Sequence, residues 1–184
     1  ETVKKHFGTR LGCTIDTLYL VNQQSPLSEI RRKIHSSDII YVGGGNTLTM
    51  LKTWRKIGVD TELKLAYQNG IILSGLSAGA MCWFQFGISD SRRMNNPQAP
   101  YIRVSGLGFV PGLLCPHYDV EKTRQPALKL MMKRNYGVAI ALENCTAIDI
   151  LDGNYRILTS RKGARAYKIH WMNHSFHKKE LPHH

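Results

Sequence analysis

Residues 38–45, DIIYVGGG, and 71–75, IILSG, are short apolar runs that break off at glycine, and each leads into a segment with helical period. Continuous apolar strands separated by helices mark a largely parallel sheet with helices on both faces, because only a strand buried on both sides can dispense with polar alternation. TIDTLYLVN at 14–22 is a further expected strand. SPLSEIRRKIHSS then reads as a helix with Ser25 or Ser28 as N-cap and Ile30 and Ile34 on one face. Asn46 is placed to cap a helix with apolar residues at 48, 51, 54 and 57, closed by Gly58. A helix over about 60–69 stops at Asn69-Gly70, and residues 78–86 predict a buried helix.

Past residue 100 the pattern changes. Glycine and proline cut YIRVSGLGFVPGLLC into short strands, and a helix over about 126–134 is expected to open with Pro126 at its first position. Residues 138–142, 146–151, 155–160 and 164–170 form a β-rich C-terminal edge, with Asp152-Gly153-Asn154 as a hairpin turn. Neither an internal repeat nor a linker breaks the chain. Residues 1–170 therefore read as one α/β domain and the His- and Lys-rich residues 171–184 as a polar tail.

Composition narrows the function classes. At 184 residues, 42% hydrophobic and 21% charged, the chain has the balance of an ordinary globular protein. Its longest apolar stretch, 71–84, is too short and too often interrupted to span a bilayer, and no leader pattern opens the sequence. The net charge of +12 raises nucleic acid as a partner, but the basic residues are scattered and no nucleic-acid motif accompanies them. Cys13, Cys82, Cys115 and Cys145 are far apart with no C-x-x-C, which argues against a zinc site and for reduced thiols in the cytoplasm.

GLSAG at 75–79 is a G-x-S-x-G motif between an expected strand and an expected helix, the context of a nucleophile elbow. Small residues at 75 and 79 let the turn tighten, Ser77 projects above the sheet, and the Ala78 amide can face an oxyanion. His117, in CPHYD, is the histidine at the end of an apolar strand and so the candidate base. Asp90, Asp119 and Glu143 are candidate acids; Glu143 ends the strand VAIAL, and Asp90 is its rival. In GGGNT, at 43–47, no phosphate-loop pattern is complete; the Gly45 amide is instead a candidate second oxyanion donor.

VGGGNT, GLSAGA, PHYD and the strand ending at Glu143, in that order, resemble the peptidase E (aspartyl dipeptidase) and cyanophycinase family of serine peptidases. The resemblance implies a class I glutamine amidotransferase-like α/β fold and a Ser77-His117-Glu143 triad, with Gly45 and Ala78 as oxyanion donors. It also implies Arg124 as a reader of an acidic P1 side chain; Asn46 joins it as a candidate substrate-binding residue. Family members carry a strand–helix segment ahead of the region matching 14–22, so this chain is expected to lack its first such segment. The function expected is hydrolysis of short peptides without metal or organic cofactor. No membrane partner is expected, and a homodimer is left open. An esterase, or a non-catalytic module that binds anions or nucleic acid, are the alternatives.

Overall fold

Ile30 and Ile34 are four residues apart and both are buried, which fixes the face that α1 (Leu27–His35) turns inward. The computed structural model describes residues 2–20, 25–120, 122–135 and 137–183. The chain separates into two compact units, Glu1–Ile39 with Thr53–Ile72, and Ile40–Lys52 with Leu73–His184.

In the first unit α1 packs on α3 (Val59–Gln68), whose Val59, Leu63 and Ala66 are buried at helical spacing. Buried Glu62 accepts from Arg31 Nε at 2.8 Å and lies 2.9 Å from His35 Nε2. Those bonds, Arg31 first, outweigh burial and hold its carboxyl below the ordinary range. Pro26, not Ser25 or Ser28, is the N-cap of α1. Its backbone is extended, and its carbonyl accepts from the Glu29 and Ile30 amides. Ser25 lies one residue too far out and Ser28 is already inside the first turn.

The expected strand at 14–22 is not formed over 14–20, where no regular element occurs; residues 21–22 lie outside the described residues. An extended run becomes a strand only where a neighbour takes up its backbone hydrogen bonds, and among the described residues none pairs with it.

β1 (Ile39–Val42) and β2 (Ile72–Gly75) pair as a two-stranded sheet. α2 (Thr47–Ile57) follows β1, with Asn46 Oδ1 accepting the Thr49 amide at 3.0 Å, so the expected cap is present. After β2 comes α4 (Ala78–Met81), a single turn where a helix to residue 86 is expected. The chain instead enters β3 (Phe84–Ser89), which lies between two strands whose ladders take up its backbone hydrogen bonds.

β4 (Ile102–Ser105), β5 (Val110–Cys115), α5 (Arg124–Arg134) and β6 (Val138–Leu142) follow. α5 starts two residues earlier than expected, and Pro126 is its third residue. The missing N–H of Pro126 is still one of the four unbonded donors of a first turn. β7 (Thr146–Leu151) and β8 (Asn154–Thr159) form a hairpin of their own, with Asp152 and Gly153 both at positive φ, as a two-residue turn requires.

β9 (Ala166–Met172) and β10 (Ser175–Glu180) complete a six-stranded sheet in the order β10-β9-β6-β5-β3-β4. The expected polar tail is thus largely β10, an edge strand whose pairing with β9 satisfies its backbone. β3–β5 and β5–β6 are parallel, whereas β4, β9 and β10 join antiparallel. The six-stranded sheet is mixed, with its parallel part confined to the centre. On β5, Leu113 packs in a cluster with Leu128 and Ile169, while Leu114 joins Ala78, Met81 and Ile157 in another. Both faces of the central strand are therefore buried, α5 covering one and α4 with the β7–β8 hairpin the other.

Candidate active site

β2 ends at Gly75, and two residues later Ser77 stands at φ 54° and ψ −111°, outside the usual regions for a side-chain-bearing residue. Such backbone costs on the order of 1–3 kcal/mol and persists only where the surroundings impose it. The surroundings here are two glycines. A Cβ on Gly75 would overlap the Gly79 carbonyl, and one on Gly79 would overlap the Val42 carbonyl at the end of β1. The spacing of the G-x-S-x-G motif is thus a steric requirement of the corner.

This gives a test in which two effects oppose. Alanine is about 1 kcal/mol better than glycine inside a helix. At residue 79 the clash with fixed backbone is expected to win, so Gly79→Ala should destabilise by about 3 kcal/mol in urea unfolding. A neutral or stabilising result would show that the corner is not sterically imposed.

His117 meets Ser77 from the other side of the corner. β5 and β6 run parallel, and their ladder is extended by the Tyr118 amide donating to the Leu142 carbonyl at 3.0 Å. The residues after both strands therefore lie side by side at their carboxyl ends, where parallel sheets gather their sites. His117, half-buried and at φ 55°, has Nε2 3.0 Å from Ser77 Oγ. Its Nδ1 is 2.7 Å from Asn144 Oδ1. A carbonyl oxygen can only accept, so Nδ1 carries the proton and Nε2 offers its lone pair to the Ser77 hydroxyl.

Glu143, the expected acid, does not occupy that place. Its carboxylate accepts from the Arg165 amide and from the Tyr167 hydroxyl, each at 3.0 Å, and ties the end of β6 to the start of β9. Glu143 and Asn144 are adjacent where β6 gives way to a turn, and it is the Asn144 side chain that faces His117. Burial and the bond to Glu143 raise the Tyr167 phenol above its ordinary pKa.

Asp90, the rival acid, pairs instead with Arg124 Nη2 at 3.4 Å. Arg124 is 1% exposed, opens α5, donates to the Ile88 carbonyl at 3.3 Å and has its guanidinium 5.0 Å from the Tyr101 ring centre. One residue on, Ser91 accepts from Asn46 Nδ2 through its carbonyl and from the Leu48 amide through its hydroxyl. Asn46 closes the glycine loop, and a Cβ on Gly44 would stand 3.5 Å from Ser77 Cβ. Gly44, beside the oxyanion candidate Gly45, thus lies against the serine, while the Ala78 amide follows it directly. Among the described residues no group of three or more His, Cys, Asp or Glu could hold a metal ion. No helix of the described residues is long and apolar enough to cross a membrane.

Residues 1–158 match peptidase family S51. The chain is 36% identical to the uncharacterized peptidase YgaJ of Bacillus subtilis (strain 168) over 96% of its own length and 74% of that protein's. It is 24% identical to a peptidase E of Streptomyces coelicolor (strain ATCC BAA-471 / A3(2) / M145) over 74% of this chain and 58% of that one. The fold is similar to that of a putative peptidase E from Listeria monocytogenes EGD-e, with a TM-score of 0.64 at 21% identity over 82% of this chain and 73% of that one. The chain therefore belongs to peptidase family S51, and its enzyme class is that of a serine-type peptidase, a hydrolase.

Proposed function

We propose that this protein hydrolyses short peptides through Ser77 and His117, on a glutamine amidotransferase-like α/β fold. The observation that carries the reading is the continuous chain Ser77 Oγ, His117 Nε2, His117 Nδ1, Asn144 Oδ1, with bonds of 3.0 and 2.7 Å. His117 takes the Ser77 proton as Oγ attacks the scissile carbonyl. The tetrahedral oxyanion is held by the Gly45 and Ala78 amides. His117 then returns the proton to the leaving amine, and water, activated by the same imidazole, releases the acyl group from Ser77. Asn144 fills the third place of the triad in our reading; it keeps the imidazole in the useful tautomer, as the asparagine of papain-like peptidases does. Glu143 supports it indirectly, by fixing the turn that carries Asn144.

The preferred substrate in this reading has an acidic P1 side chain. Arg124 is buried against Asp90, and their 3.4 Å contact is long for a charge-assisted bond. Asp90 stands in for the substrate's carboxylate, which displaces it on binding. Arg124→Met should then raise KM for Asp-X dipeptides about tenfold or more and leave neutral dipeptides nearly unchanged. Asp90→Asn, which removes the internal competitor, should lower KM for Asp-X. Equal losses on acidic and neutral substrates would reduce Arg124 to a structural anchor.

A further inference from the structure

We infer that Asp119 and Arg161 form a clamp on the backbone of Asn144 that fixes the orientation of His117. They are then positioning residues for the reaction proposed above, on whose reading of Ser77 and His117 this inference rests. The contacts form a closed ring. The Asn144 amide donates to Asp119 Oδ1 at 2.8 Å. Arg161 Nη2 donates to Asp119 Oδ2 at 3.1 Å and to the Asn144 carbonyl at 3.4 Å. Both backbone polar groups of Asn144 are thus gripped, and its side chain is left to address the imidazole.

Chain order makes the grip effective. Asp119 is two residues after His117, so one short loop touches Asn144 twice, through the His117 ring and through the Asp119 carboxylate. The next residue, Cys145, is at φ 68°, so the corner after Asn144 is an unfavourable one that needs holding. A neutral asparagine has no charge with which to hold itself in place; the charged pair supplies the fixed frame. Burial alone would raise the Asp119 carboxyl, but the Asn144 amide and Arg161 outweigh it and hold it below the ordinary range. The clamp is consequently ionised throughout the neutral range. It also explains why a carboxylate so close in sequence to the base is not the residue on Nδ1: its oxygens are committed to Asn144 and Arg161. Arg161 is half-exposed, and an exposed ion pair contributes little to stability by itself. Its value lies in geometry, where a displacement of about 1 Å can cost 10²-fold in rate.

The test uses the full chain with Arg161→Met, Arg161→Lys and Asp119→Asn, chosen because each leaves the volume nearly unchanged. The first readout is NMR of 15N-labelled histidine in water, which reports the Nδ1 proton of His117 whether or not the protein turns over. The clamp predicts a slowly exchanging Nδ1 proton in the wild type, its loss in Arg161→Met, and its recovery in Arg161→Lys. The second readout is peptide hydrolysis, where Arg161→Met and Asp119→Asn should lower kcat about 10- to 100-fold with KM within about twofold, again with recovery in Arg161→Lys. A protected Nδ1 proton that survives in Arg161→Met and Asp119→Asn overturns the clamp, as does its absence from the wild type. A wild type that does not hydrolyse peptides overturns the functional reading, while the NMR result still decides the clamp.

Discussion

Ser77→Ala is expected to abolish peptide hydrolysis while leaving the fold in place. The substitution removes one oxygen, and with it the atom that attacks the carbonyl. Loss of the nucleophile from a serine triad lowers kcat by about 10⁴-fold or more, because the remaining members act only through it. The cost in stability should be about 1 kcal/mol, the scale of the one hydrogen bond to His117 that is lost. The corner does not depend on the hydroxyl: Gly75 and Gly79 impose it by the closeness of the Gly79 and Val42 carbonyls. Kinetics on a dipeptide, with urea unfolding of the same samples, separates the two effects. Residual turnover near the wild-type rate would move the nucleophile elsewhere.

Asn144→Ala is expected to cost about 10²- to 10⁴-fold in kcat, because His117 Nδ1 loses the acceptor that fixes its tautomer. Glu143→Gln should cost less than about tenfold in kcat and about 1 kcal/mol in stability, since it disturbs only the links to Arg165 and Tyr167. The opposite ranking would put Glu143 on the imidazole. Asn144→Asp adds a sharper sign. A carboxylate beside Nδ1 stabilises the imidazolium relative to the free base. The free base that accepts the Ser77 proton is then lost at a higher pH, so the acid limb of kcat/KM should move to higher pH. A limb that stays in place would mean that residue 144 does not govern the base.

The distinction between Glu143 and Asn144 also shows where sequence reading reaches its limit. The pairing of Ser77 with His117 is legible, because a glycine-flanked serine after one strand and a histidine after another can both be assigned to carboxyl ends. The acceptor on His117 Nδ1 is not legible, because the chain leaves β6 at Leu142 and turns at Asn144 and Cys145, and side-chain directions in a turn do not follow from spacing. The resemblance to serine peptidases implies Glu143, whereas the residue beside His117 Nδ1 is Asn144. Asn144 had one sequence signal, its place directly after that strand, and nothing in the residue type to single it out. Asp119 was visible as a carboxylate near the histidine, but its grip on a backbone amide cannot be read from composition or spacing.

The fold divides in the same way. Ile30 with Ile34, the cap at Asn46 and the Asp152-Gly153 turn are local features, and each is found where its local chemistry puts it. Errors arise where long-range pairing decides. Residues 84–86 fall within the helix expected over 78–86 but belong to β3, which has strands on both sides, and the histidine- and lysine-rich end becomes β10 because β9 offers an edge. Residues 14–20 are apolar enough for a strand yet have no ladder partner among the described residues.

The most direct test of the central claim is covalent. A fluorophosphonate reacts with a serine only where a base activates the hydroxyl, so mass-spectrometric mapping of the adduct on the wild-type chain reads out the Ser77–His117 pair without knowledge of the peptide substrate. A single adduct on Ser77, within residues 75–84, is expected, and it should disappear in His117→Ala. A wild-type chain that stays unlabelled, or one labelled at another serine, would contradict that claim.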